Sequence, residues 1–124
     1  MALANADNIA PLDDQTGPYA AYAIYQDGAA SRVLLYNSEY YTNSTRPAET
    51  YTLTGLASSG VTAKRLTAPY STSRVDRGES PTLAGQTFGN GDCTVQREET
   101  VEEMSVSDEA SFTVSASEAL LVYL

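Results

Sequence analysis

Alternation between apolar and polar residues, with no sustained helical periodicity, is the feature that most limits what this chain can become. The run Tyr19-Ala20-Ala21-Tyr22-Ala23-Ile24-Tyr25 leads into the turn pair Asp27-Gly28, and Arg32-Val33-Leu34-Leu35-Tyr36 follows as its natural hairpin partner. Tyr51 and Leu53 alternate with Thr50, Thr52 and Thr54, which reads as a half-buried strand ended by Gly55. A fourth strand is predicted over residues 61–66, after the turn Ser58-Ser59-Gly60.

The second half is less regular. Residues 68–81 are rich in Ser, Thr, Arg and Pro and read as a long connection. Residues 83–88 predict a short strand with Gly85 at a bulge. Residues 94–106 fit either a helical turn or an edge strand, and residues 111–114 and 119–124 are expected to form a terminal strand pair. The closing run Ala119-Leu120-Leu121-Val122-Tyr123-Leu124 is apolar at every position, so it is expected to be central and covered on both faces. The expectation is an all-β fold, a two-layer antiparallel β-sandwich of about seven or eight short strands. Residues 17–124 are assigned to the sandwich and residues 1–16 to an N-terminal tail or edge strand.

Size and charge exclude several functions. A (β/α)8 barrel needs roughly 200 residues, more than the 124 present. The net charge is −9, with only seven Lys and Arg spread along the chain. No basic stripe exists to displace counterions, so neither nucleic acid nor an anionic membrane surface is an expected partner. No run approaches the roughly 18 apolar residues of a membrane span. The first residues lack the basic and continuous apolar regions of a signal peptide, so the chain is read as made without one or as starting inside a longer precursor.

Chemistry-bearing residues are scarce. The chain has no His and a single Cys, which removes Ser-His-Asp and Cys-His arrangements, any internal disulfide and the commonest zinc ligand. Cys93 lies in the acidic stretch Gly91-Asp92-Cys93-Thr94 and reads as incidental. Arg74 and Arg77 are flanked by Asp76 and Glu79 and read as a solvated loop. Glycoside hydrolysis needs only two carboxylates held in different environments. The run Glu98-Glu99-Thr100-Val101-Glu102-Glu103 supplies carboxylates with nothing to differentiate them, so it reads as a solvated face. No catalytic residue, metal or cofactor is assigned.

Tyrosine is the informative excess, with nine Tyr against two Phe and no Trp. Tyr19, Tyr22, Tyr25 and Tyr36 fall in predicted strands and read as packing residues with a hydroxyl at the rim. Tyr40, Tyr41 and Tyr70 fall in predicted loops. Exposed aromatic faces can stack on pyranose rings, which makes these three the candidate carbohydrate-binding residues. Asn43-Ser44-Thr45 is a sequon, and Asn43 is a candidate glycosylation site if the chain is secreted.

Several segments, in order, resemble the C-terminal β-domain of family 79 glycoside hydrolases, the β-glucuronidase and heparanase-like enzymes. They include Tyr19 through Tyr25, Arg32-Val33-Leu34-Leu35-Tyr36-Asn37 and Thr45-Arg46-Pro47. They continue with Lys64-Arg65-Leu66-Thr67-Ala68-Pro69, Ala84-Gly85-Gln86-Thr87-Phe88, and Ser115-Ala116-Ser117-Glu118 with the apolar run behind it. The resemblance implies a β-sandwich packed against a catalytic (β/α)8 barrel. It places the acid/base and nucleophile glutamates in the barrel, so none is carried over to a position here. It also implies a secreted protein, and a sandwich that borrows a strand from ahead of the barrel. The edge so exposed is expected to be filled by residues 3–12 or covered by pairing of two chains into a homodimer. Three functions follow: a noncatalytic accessory domain, a free-standing lectin-like carbohydrate-binding protein, or a structural interaction module.

Overall fold

Asp27 and Gly28 both adopt left-handed backbone, with φ 53 and 77, which is the geometry a two-residue hairpin turn needs to match strand twist. In the computed structural model, which describes residues 2–124, that turn joins β2 (Tyr19–Gln26) to β3 (Ala29–Asn37). The other strands are β1 (Asn8–Pro11), β4 (Ala48–Thr54), β5 (Gly60–Thr67), β6 (Thr82–Leu83), β7 (Thr87–Phe88), β8 (Val95–Gln96), β9 (Glu102–Ser105), β10 (Glu109–Ser115) and β11 (Glu118–Tyr123). Three of these are two-residue pairings. The other eight carry the fold, an all-β sandwich of short antiparallel strands.

The large sheet has seven strands among the described residues, in the order β1-β2-β3-β11-β5-β6, with β9 sharing the outer edge of β5. β10 and β4 pair with each other and form the second layer. β11 lies between β3 and β5, opposing Leu35 with Leu120 and Val122 with Ala63. Leu120 and Val122 of β11 join the core, whereas Ala119 and Leu121 lie on the outer face of the sheet, so the strand is central laterally but the second layer covers only one of its faces.

The sheet faces alternate as the pleat requires. Val33, Leu35, Val61, Ala63, Leu120 and Val122 point inward onto Ala110, Phe112 and Val114 of β10, forming the buried core. Leu35, Leu120, Val114 and Val122 are fully buried. At about 1.5–3 kcal/mol per fully buried aliphatic side chain, this stripe is the main source of stability. Hydrogen bonds also tie the layers together, among them Tyr51 Oη donating to Tyr36 O at 2.7 Å and Asn37 Nδ2 donating to Val114 O at 3.2 Å.

Two sequence expectations change, and one open alternative is decided. β10 and β11 do not pair with each other; the chain turns at Ala116-Ser117 from the small sheet into the large one. β10 has one apolar face and suits an outer layer, whereas β11 has two and needs a central place. Gly85 sits in a turn and not at a bulge. Ala84 and Gly85 have φ 49 and 76, and Leu83 and Gln86 exchange backbone hydrogen bonds of 3.0 Å around them. Of the two readings of residues 94–106, the edge strand is the one that forms: β8 and β9 lie there, with β9 on the outer edge of β5.

β1 pairs antiparallel with β2, setting Asn8 opposite Tyr25 and Pro11 opposite Tyr22. Asp13 Oδ2 accepts the Ala21 N–H at 2.8 Å and holds the chain close after β1 ends.

Candidate functional site

One end of the sandwich, at the corner between β10 and β11, gathers polar residues from distant parts of the chain. Glu118 opens the apolar run of β11, and its side chain is only 8% exposed. Its carboxylate accepts from Thr67 Oγ1 at 2.7 Å, the Ser115 N–H at 2.9 Å and Arg65 Nη1 at 3.0 Å. Arg46 Nη1 lies 3.5 Å away. Burial pushes the Glu118 carboxyl up, but the Thr67 and Ser115 hydrogen bonds and the two guanidinium charges outweigh it and hold the group below its ordinary value.

Arg65 is shared. Its Nε and Nη2 meet Glu102 of β9 at 2.7 and 3.0 Å, and Nη1 also donates to Thr113 O at 3.0 Å. The Glu102 hydrogen bonds, opposed by partial burial, raise its affinity for the proton. Arg46 places Nε and Nη2 on Ala116 O at 2.9 and 2.6 Å, directly at the corner. A carboxylate kept ionised between two guanidinium groups has no loosely held proton to donate. The cluster braces the corner and is not arranged as a general acid.

The predicted sugar-binding tyrosines lie beside this brace and occupy different environments. The Tyr41 and Tyr70 rings stack at 6.0 Å with planes 30° apart, and Arg46 caps the Tyr41 ring 5.4 Å from its centroid. The two loops are also stitched by backbone: Tyr41 N–H donates to Ser71 Oγ, and Ser71 N–H to Tyr41 O, both at 2.7 Å. Tyr40 stands out at 71% exposure. Tyr40 and Tyr70 line a cleft of about 320 Å³ with Ser38, Thr67, Ser71 and Ser117. Asn43 lies exposed in the loop beyond Tyr41.

The other residues singled out by sequence are placed simply. Cys93 is exposed on the β7–β8 connection. Arg74 grips Asp76 at 2.7 and 2.8 Å across a single helical turn, Val75–Arg77. The glutamate run divides: Glu99 pairs with Lys64 at 2.6 Å and Glu102 with Arg65, which fastens β9 to β5. Glu98 and Glu103 face solvent. Among the described residues, no three metal-ligating side chains are gathered in one place.

Two apolar surfaces complete the inventory. On the outer face of the large sheet, Leu34, Leu66, Leu83, Ala119 and Leu121, with Lys64 and the N-terminal Ala2, line a shallow depression of about 170 Å³; Leu66 is 48% exposed and Leu121 is buried. Between the layers, a gap of about 440 Å³ runs from Ala21, Ala23 and Tyr25 of β2 to Leu53 of β4 and Leu56 just beyond it. β4 pairs only with β10 among the described residues, so this gap lies along an open strand edge.

Residues 21–121 match the family model described as the glycosyl hydrolase family 79 C-terminal beta domain. The chain belongs to that family. The whole of this family 79 β-domain also superposes on part of the crystal structure of a novel 4-O-α-L-rhamnosyl-β-D-glucuronidase from Fusarium oxysporum 12S in complex with Rha-GlcA. The TM-score is 0.97 at 66% identity, covering 100% of this chain and 27% of the enzyme. The chain thus spans about a quarter of that protein and corresponds to its noncatalytic C-terminal portion. No curated protein matches the chain significantly.

Sequence reasoning missed the Arg46–Glu118–Arg65 brace and the outer apolar face. The face had a readable signal: Leu34, Leu66 and Leu121 are strand residues alternating with core residues, so they point away from the core. The brace had none, because its members come from three separate strands and loops.

Proposed function

We propose that this domain works as the supporting half of a longer glycoside hydrolase, seated against a catalytic barrel that acts on a β-glucuronide. The observation that carries the reading is the superposition of the entire chain on 27% of a rhamnosyl-glucuronidase. The outer apolar depression supports it: Leu66 is 48% exposed there beside the half-buried Leu34 and the buried Leu121, and a neighbouring domain would cover such a spot. The test compares the longer enzyme with and without Leu66→Asp. Loss of thermal stability and of aryl glucuronide hydrolysis is expected, while the isolated domain keeps its fold. Unchanged stability and turnover would refute docking through this face. Hydrolysis by the isolated chain would refute a purely supporting role.

A second reading, carbohydrate contact, rests on Tyr40, which is 71% exposed beside a cleft lined by Ser, Thr and Tyr hydroxyls together with Leu66, Ala68 and Pro81. Tyr41 and Tyr70 would then shape the cleft by stacking on each other. A glycan array on the isolated chain tests this, and binding that survives Tyr40→Ala removes the assignment. The same reading expects secretion, with Asn43 carrying a glycan in a eukaryotic host. Self-association is the outcome expected if the open edge of β4 is left uncovered, and concentration-independent monomer mass in light scattering would dismiss it.

A further inference from the structure

The chain has five asparagines, and their surroundings separate them sharply. An asparagine converts to isoaspartate when the next backbone nitrogen attacks its side-chain carbonyl carbon. The attack needs a free N–H, a following residue with no Cβ to crowd the approach, and a backbone that can bend. Asn90-Gly91 meets all three conditions. Both residues are exposed in the turn between β7 and β8. Gly91 has φ 108, and nothing lies within 4 Å of where a Cβ would stand. Among the described residues, neither the Gly91 N–H nor the Asn90 carboxamide makes a hydrogen bond.

The other four are hindered to different degrees. Asn37 is 1% exposed, with its amide donating to Val114 O and its oxygen accepting from Glu39 N–H. The nitrogen after Asn5 belongs to Ala6 and is spent on Leu3 O at 3.0 Å. The nitrogen after Asn8 belongs to the β-branched Ile9 and donates to Asn8 Oδ1 at 2.8 Å inside β1. Asn43 is exposed, but Ser44 carries a Cβ and its carbonyl is held by Tyr41 Oη at 3.2 Å.

We propose that Asn90 is a site of spontaneous isoaspartate formation. The Gly91 nitrogen bonds to Asn90 Cγ, the Cγ–Nδ2 bond breaks, and ammonia leaves carrying the proton from the Gly91 N–H. The five-membered imide then takes up water at either carbonyl. One opening gives an aspartate at position 90. The other sends the main chain through Cγ and frees the former backbone carbonyl carbon as a carboxylate. Either product adds a negative charge beside Asp92. The isoaspartyl form also lengthens a turn closed by Gly89 N–H to Thr94 O at 2.8 Å and Cys93 N–H to Gly89 O at 3.0 Å.

The test incubates the intact chain at mildly alkaline pH and maps peptides by mass. A gain of about 1 Da is expected in the peptide containing residue 90. At least about ten molecules should be modified there for each one at Asn43, a barrier difference of about 1.4 kcal/mol. Isoaspartyl methyltransferase should label the aged chain, and Asn90→Gln should abolish most of that label without moving the melting temperature. Conversion led by Asn43 or Asn5, or labelling undiminished in Asn90→Gln, would overturn the proposal.

Discussion

Removing the Glu118 carboxylate should be the most damaging single polar change in this domain. Glu118→Ala strips the acceptor from Thr67 Oγ1 and the Ser115 N–H, and one anionic partner from Arg65 and Arg46. A donor left without an acceptor in a buried place costs about 1–3 kcal/mol, and breaking a buried pair by deleting one partner costs about 3–5 kcal/mol. Arg65 retains Glu102, and the arginine side chains keep 23% and 24% exposure, so solvent relieves part of the loss. The net expectation is about 3 kcal/mol, a fall in melting temperature on the order of 10 °C for a domain of this size. Urea unfolding with linear extrapolation measures it directly. The pH dependence gives a second reading with a definite sign. The folded carboxyl titrates below its ordinary value of 4.5. Its contribution is therefore complete above that value and drains away as pH falls through the lower folded value. Glu118→Gln should be less stable at neutral pH and should flatten the acid limb of the stability curve. A loss under about 1 kcal/mol for Glu118→Ala, or an acid limb unchanged in Glu118→Gln, would show that the corner is held by something else.

Other changes separate core, turn and loop contributions. Leu120→Ala empties a fully buried site at the centre of the large sheet and should cost about 3–5 kcal/mol in urea unfolding. Tyr51→Phe removes only the hydroxyl that donates to Tyr36 O across the layers and should cost about 1 kcal/mol by the same assay. Gly85→Ala forces a Cβ to within 3.0 Å of Thr100 Oγ1 at φ 76; a loss of more than about 1 kcal/mol in chemical denaturation is expected. Tyr41→Ala breaks the stack with Tyr70 and frees Arg46, so it should lower stability by about 1–2 kcal/mol, whereas Tyr40→Ala should leave the melting temperature unmoved.

What could be read from sequence was whatever a short window contains. Asp27-Gly28 announces its own turn, and the double apolar face of residues 119–124 announces a central strand. At Gly85 a bulge and a turn share the same local signature, and only the cross-contacts to Arg65 and Thr100 decide between them. At the β10–β11 corner adjacency in sequence favours a hairpin, whereas the preference of each strand for a different layer is a property of the finished core. Glu118, Arg65 and Arg46 were visible as residues of the family's pattern. Their pairing depends on chain folding that brings residues 46, 65 and 118 together, which no local pattern encodes. The tyrosine loops were located correctly, but the stacking that ties Tyr41 to Tyr70 and leaves Tyr40 free is likewise a long-range outcome.

The central place of β11 has a consequence during synthesis. Its neighbours β3 and β5 are both made earlier, and neither pairs with the other. From Thr67 to Glu118 the ribosome adds residues at about 5–20 per second, so both strands wait several seconds with an inner edge uncovered. The β2–β3 hairpin can form in that interval, but the seven-stranded sheet is still two fragments. Chaperone engagement and aggregation should therefore concentrate in that window. A ribosome stalled with β5 emerged and β11 still inside the exit tunnel should hold a protease-sensitive chain, and extending it past β11 should confer resistance in a single step.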